Sequence, residues 1–371
     1  MTPEQIEIIL IAVIVAGNCA LVGSFLVLRK MAMVSDAIAH SILFGIVVMF
    51  FYTRTLASLP IIAAATLTGV LTVVMVEGLV KTRLVKEDAA IGIVFPALFS
   101  IGVILINRYA ATVHLDTDVV LLGELAFAPF DRFLIAGHDA GPRALWLAGM
   151  VGIANLTYIT LFFKELKLVI FDAGLAATLG LSPLVVHYGL MSLVSVTAVS
   201  SFEAVGSILV VALMIAPPAS AYLLTDRLGL MLILGPAIGG ISAVAGYFMA
   251  FILDASIAGS MASVTGIFFT TVLFLAPQRG LISLLRRRRR QRLQFAGEML
   301  LVHLSRHLGQ PDEVEESSIE HIGRHLRWDE TFGKRLISHL LHHSLVRLNA
   351  QKNRLLLTER GKTLAEERLD K

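Results

Sequence analysis

The stretch SDAIAHSILFGIVVMFFY, Ser35 to Tyr52, decides how this chain is read. It is apolar enough to lie in a bilayer, yet it carries Asp36 and His40, which at i, i+4 spacing share one helix face. An ionisable pair in such a helix is costly, turns to a bundle interior or an aqueous cavity, and marks a substrate or ion path. Carboxylate oxygen plus imidazole nitrogen is also a donor set for Mn²⁺, Fe²⁺ or Zn²⁺. The plainer alternative is an Asp–His hydrogen bond locking two helices.

Working outward, the 371 residues are 56% hydrophobic and 16% charged, with a mean hydropathy of +0.78. That excludes an ordinary soluble protein. Charge is sparse up to Pro277 and dense after the Arg286 to Arg290 run, so two unlike domains meet near Gln278. Cys19 is the only cysteine, which rules out a disulfide within the chain. Glu4 and Glu7 stand where a secretory signal would carry Lys or Arg, so the first apolar run reads as a retained helix.

Spans are predicted at Ile8 to Leu28, Ala37 to Tyr52, Leu59 to Val80, Ala89 to Ile106, Ala144 to Phe163, Leu184 to Phe202, Ala204 to Leu224, Leu228 to Leu253 and Ile257 to Ala276. Lys and Arg favour the loops at Arg29–Lys30, Lys81–Lys86, Lys164–Lys167 and Arg227, which the positive-inside rule places in the cytosol with the C-terminal tail. The outer loop holds HLDTDVVLLGELAFAPFDR (His114 to Arg132). It reads either as a surface connection with an interfacial helix or as a docking surface, and Asp116 and Asp118 need no cation. The inner segment KELKLVIFDAGLAATLGLSP (Lys164 to Pro183) is amphipathic and too polar to span. It contains a short helix between Asp172 and Gly180, with Asp172 as its N-cap.

At this point the chain resembles the permease subunits of bacterial ABC transporters for manganese, zinc and iron(II). Phe171, Asp172, Ala176, Leu179 and Gly180 match the pattern of the helix that docks into the ATPase in that family. MVSDAIAHSILFG (Met33 to Gly45), HLDTDVVLLGE (His114 to Glu124), VSSFEAVGSILVVALMIAPPASAYLLTDRL (Val199 to Leu228) and DASIAGSMASVTG (Asp254 to Gly266) match further signatures in family order. The resemblance implies a divalent metal ion as transported substrate rather than a resident cofactor, and an inner-membrane location. It also implies a separate ATP-binding subunit, an extracytoplasmic metal-binding protein and pairing with a second permease, identical or not. Asp36 and His40 then line the metal path. Glu203, at the turn entering the seventh span, is the candidate third ligand, with an interfacial acid as the alternative reading.

Other residues read more simply. His187 is a satisfied interfacial histidine, and Glu77 forms an ordinary ion pair with Lys81. Pro217 and Pro218 are expected to kink or break the seventh span. Gly235, Gly239, Gly240, Gly246 and the Gly259 to Ser263 pair suit close helix packing within one subunit. No phosphate loop occurs, since Leu356 stands where the first glycine ahead of Gly361-Lys362-Thr363 should be. An ATPase must therefore be a separate polypeptide, and the chain itself is expected not to be an enzyme.

The fold expected is an all-α polytopic membrane domain of about nine helices (1–277), a polybasic linker (278–292) that also anchors to anionic lipid, and a small cytosolic winged helix-turn-helix domain (293–371). Helical patterns at Leu293 to Leu308, Ser318 to Arg327 and Asp329 to His343 precede a strand, turn, strand and helix in SLVRLNAQKNRLLLTERGKTLAEERL. LTERGKTLAEER (Leu357 to Arg368) resembles the wing and following helix of iron- or manganese-dependent repressors. On that resemblance Lys334, Arg335 and Arg354 would meet DNA or a protein partner, with nucleic acid the less favoured. His303, His307, His321, His325, His339, His342 and His343 fall in this tail, several at i, i+4 spacing, where a regulatory metal site is an option. Two functions compete: a metal-ion permease with a regulatory tail, and a membrane-anchored metal-responsive transcription regulator.

Overall fold

The computed structural model describes residues 2–53, 58–109, 125–135, 138–325, 328–351 and 353–369. It divides into two compact units, Met1–Gly280 and Leu281–Lys371.

Among the described residues of the first unit, nine helices are long and apolar enough to cross a membrane. They are α1 (Pro3–Leu28), α2 (Met33–Thr53), α3 (Ser58–Lys81), α4 (Glu87–Tyr109), α5 (Arg143–Leu161), α8 (Pro183–Val205), α9 (Ser207–Leu224), α10 (Leu228–Leu253) and α11 (Ile257–Leu275). Between α5 and α8 lie the short helices α6 (Phe163–Phe171) and α7 (Ala173–Thr178). Local chemistry sets the ends. Thr2 and Gln5 form a reciprocal capping box ahead of Pro3, and Asp172 Oδ1 accepts the Leu175 N–H at 2.9 Å to start α7. One residue, Gly206, joins α8 to α9 at φ +80, a conformation that favours glycine. The outer connection ends in an antiparallel hairpin, β1 (Arg132–Ile135) with β2 (His138–Pro142). The sequence reading lacked it, because its strands are short and unpatterned. The run His114 to Glu124, with Asp116 and Asp118, lies outside the described residues.

Helix α1 is central, packing against α10, α9, α5 and α8, while α2 packs against α3 and α4. The seventh span does not break. Helix α9 runs on through Pro217 and Pro218. A proline at 218 cannot donate to the Met214 carbonyl, and that carbonyl is what a Cβ on Gly23 would strike, at 2.0 Å. Backbone polarity freed by the proline thus meets a helix surface stripped of side chain.

The glycines of α10 serve contacts within the subunit, as expected: a Cβ on Gly239 would lie 3.1 Å from the Ala16 carbonyl, and one on Gly246 only 2.4 Å from Met261 Cα. Gly259 has only its own turn nearby and is not a packing glycine. Gly246→Ala must push α10 from α11 and is expected to cost about 1–3 kcal/mol. This should appear as a lower unfolding temperature in detergent. Gly266→Ala, with open space around the added carbon, should leave that temperature unchanged or raise it.

In the second unit, α12 (Leu281–His307) is followed by α13 (Glu313–Glu316), α14 (Ile319–His325), α15 (Glu330–His342), the antiparallel hairpin β3 (Val346–Leu348) with β4 (Leu355–Leu357), and α16 (Glu359–Leu369). Its core joins Leu300, Leu304, Ile322, Leu336, Leu340 and Val346. The polybasic segment read as a linker is helical from Leu281 onward, because Arg is a strong helix former and no Gly or Pro lies between Leu281 and Arg292. Gly361, in the first turn of α16, has space only for hydrogen, since a Cβ would lie 2.1 Å from the Leu345 carbonyl. That accounts for the Gly-Lys-Thr triplet structurally.

Candidate functional site

Asp36 and His40 sit in the first two turns of α2, with His40 Nε2 3.4 Å from Asp36 Oδ1. Two donors bound to one transition-metal ion at about 2.0–2.2 Å each stand about 3–3.5 Å apart. The pair is therefore at ligand spacing already. Both side chains are 30% exposed, and the imidazole lies between two rings of α4, 5.6 Å from Phe95 and 6.4 Å from Phe99.

Glu203 is not brought to this pair. It occupies the last turn of α8 and lines a cavity of about 250 Å³ with Phe127, Asp131, Arg143 and Ser200. His187, in the first turn of α8, lines a second cavity of about 360 Å³ with Arg29, Met31, Glu77, Lys81 and Glu87. Met31 leads into α2, so Asp36 lies at the His187 end of the bundle, and Glu203 is roughly 24 Å further along α8 at 1.5 Å per residue. The alternation of the predicted spans already sets the start of α2 and the α8–α9 joint at opposite ends of the bundle.

The structure gives His187 and Glu77 more than the roles read from sequence. Arg29 donates to His187 Nδ1. Because guanidinium can only donate, His187 carries its proton on Nε2, which points to Glu77 Oε1. Glu77 Oε2 accepts from the Tyr188 hydroxyl at 3.0 Å and pairs with Lys81 at 3.7 Å. Helices α1, α3 and α8 are thus pinned at one end by a chain of charge-assisted contacts, with Glu87 beside it on the cavity wall. No periodicity signal reveals such a chain, whose members are far apart in sequence.

The five residues of the α6–α7 segment divide by environment. Phe171 is 64% and Leu179 65% exposed, and Leu175, which the sequence reading passed over, is 47% exposed. Ala176 is fully buried against the bundle and cannot touch a partner. Asp172 is spent on capping α7, and Gly180 supplies φ +82 to turn the chain.

In the C-terminal unit, Lys334 pairs with Glu330 at 2.5 Å, and this hydrogen bond raises its pKa above the ordinary lysine value. Arg354 donates from Nε to Ser317 Oγ at 3.0 Å and bridges to Ser318, which ties the hairpin to the entry of α14. Of the three expected contacts, Arg335 is exposed and has no such tie among the described residues.

Residues 4–276 match the sequence model of the ABC 3 transport family. The zinc transport system membrane protein TroD of Treponema pallidum (strain Nichols) is 43% identical over 364 residues, 98% of this chain and 98% of that protein. The manganese transport system membrane protein MntD of Bacillus subtilis (strain 168) is 46% identical over 276 residues, 74% of this chain and 93% of it. The match to TroD takes in the C-terminal tail. Among solved structures, PsaBC from Streptococcus pneumoniae in complex with Fab aligns at a TM-score of 0.63 with 28% identity, covering 76% of this chain and 96% of that one.

Proposed function

This chain belongs to the ABC 3 transport family, and from that membership we propose that it is the membrane-spanning subunit of an ATP-driven importer of a divalent transition-metal ion. It works with a separate ATPase and an extracytoplasmic metal-binding protein. The observation that carries the reading is the Asp36–His40 pair, two hard-to-borderline donors at ligand spacing on an otherwise apolar helix. Two protein donors bind an ion without trapping it, and water or the same pair from a second copy completes the shell. The Arg29, Lys81 and Lys164 end faces the cytosol. The cavity around Glu203 then opens outward, and the one walled by Glu77 and Glu87 opens inward.

The C-terminal unit, on this reading, is a winged-helix-like cytosolic domain that acts on the ATPase rather than on DNA. Support comes from its helix, hairpin and helix order and from the engagement of two of its three candidate phosphate contacts with Glu330 and Ser317. On α15 itself this leaves Arg335 exposed beside the acidic Asp329 and Glu330 at the helix start, a thin footprint for a helix that would enter DNA.

The test is uptake of radiolabelled Mn²⁺ and Zn²⁺ by proteoliposomes holding this chain and its ATPase. Uptake that requires ATP and saturates is expected for at least one of them. If both ions are excluded under every condition while a promoter fragment binds the chain tightly in physiological salt, the transcription-regulator reading replaces this one.

A further inference from the structure

We propose that the C-terminal unit holds a binding site for one divalent first-row transition-metal ion, built from His303, His307, Glu316 and His321. His303 and His307 stand one turn apart on α12, with ring centroids 4.8 Å apart. The chain then reverses through Gly309 at φ +79, where the Gly309 N–H donates to Glu313 Oε2 at 2.8 Å. That turn carries α13 back along α12 and sets Glu316 against the two imidazoles. One donor atom each from His303, His307 and Glu316 lies within 4.8 Å of the others.

The distances around Glu316 are those of a ligand shell. His303 Nε2 is 3.1 Å from Glu316 Oε2, and His321 Nε2, arriving from α14, is 3.3 Å from Glu316 Oε1. Ligands sharing one ion stand about 3–3.5 Å apart, so each of these two contacts is at ligand spacing; one ion shared by all four requires His307 to close in and His321 to shift toward the Glu316 oxygen that faces His303. The second layer is present too. His307 Nδ1 is 2.9 Å from Asp312 Oδ2, and His321 Nδ1 is 3.6 Å from Glu315 Oε1. A metal-bound imidazole characteristically gives its other N–H to a carboxylate, which fixes ring and tautomer. With Nδ1–H directed to Asp312, His307 keeps its Nε2 lone pair for the ion.

Amphipathic helices explain histidines at i, i+4 spacing. They do not explain three histidines from α12 and α14 converging on one carboxylate, with further carboxylates behind two of them. Three imidazole nitrogens and one carboxylate oxygen suit Zn²⁺ or Co²⁺ in a closed four-coordinate shell, and disfavour Ca²⁺ and Mg²⁺, which take oxygen ligands. His303 and Glu316 are 15% and 17% exposed, and His307 and His321 are 32% and 30%, so the site is shielded yet has an entry.

The inference rests on this cluster alone and not on the transport reading, and its test reads binding rather than uptake. The full-length chain in detergent, carrying Asp36→Ala and His40→Ala so that the path pair adds nothing, is titrated with Co²⁺. One equivalent should bind with the visible absorption of a four-coordinate nitrogen- and oxygen-ligated ion, and Zn²⁺ should displace it. Glu316→Gln, close in shape to the native residue, and His303→Ala should each weaken binding at least tenfold and remove the band. His307→Ala, at a residue one-third exposed, should give the same loss should His303→Ala fail to fold. Asp312→Asn should weaken binding about 10–100-fold while keeping the band, and His343→Ala should change nothing. Absence of a bound equivalent, or a band and affinity unchanged by Glu316→Gln and by both histidine variants, overturns the site.

Discussion

Asp36→Ala and His40→Ala each bring ATP-driven metal uptake to background, with membrane insertion and ATPase association intact. The two donors lie 3.4 Å apart, and removing either leaves a single ligand, which holds a dehydrated divalent ion far less well than two. Loss of a second-layer partner alone costs about 10–100-fold in metal affinity, so loss of a direct ligand should exceed about 100-fold. Folding should survive. Both side chains are one-third exposed, and the ring contacts of His40 with Phe95 and Phe99 are peripheral to the α1-centred core. Asp36→Asn separates charge from shape and should fail almost as completely. The measurement is the metal concentration for half-maximal uptake in proteoliposomes. Near-normal uptake in either alanine variant would remove the pair from the path.

The second large effect lies on the α6–α7 segment, where Leu179→Glu and Phe171→Ala should release the ATPase without disturbing the membrane domain. Both residues are about two-thirds exposed and large, and burying such a side chain at a partner surface contributes about 1.5–3 kcal/mol. A central anchor of this kind costs about 2 kcal/mol when truncated, or roughly thirtyfold in affinity. Leu175→Glu should act in the same way. Ala176→Asp differs, because it puts a charge into a fully buried position and lowers the amount of folded protein instead. Co-purification with the ATPase and the ATP hydrolysis it supports are the readouts. Unchanged values in Leu179→Glu and Phe171→Ala would take the docking role away from this segment.

What could be read from the amino acids follows from which forces are local. The nine spans were legible because twenty apolar residues admit few other fates, and Leu228–Leu253 was placed to the residue. Asp172 as a cap was legible because capping acts over three residues. The Asp36–His40 pair stood out because charge in an apolar helix is rare. The Arg29–His187–Glu77 chain was not legible, since it joins helices whose pairing only the assembled bundle decides. Nor could the face of Ala176 be told from a pattern, because it depends on how the short helix rotates against the bundle. At the prolines of α9 the helix continues rather than breaks, and the Met214 carbonyl that Pro218 leaves without its donor packs where Gly23, nearly two hundred positions earlier, has no side chain. In the C-terminal unit, histidine spacing was visible, but Glu316 as the point where they meet depends on the reversal at Gly309.

Gly206, the single residue between α8 and α9, has a consequence for biogenesis. A connection of one residue leaves no slack for the first helix to settle across the bilayer while the second is still being synthesised. The two must enter the membrane as one hairpin, delivered to the lipid together. The same shortness means that neither can slide along its axis without dragging the other, so any rocking between halves of the bundle must pivot at longer joints, and α8 and α9 move as a single lever.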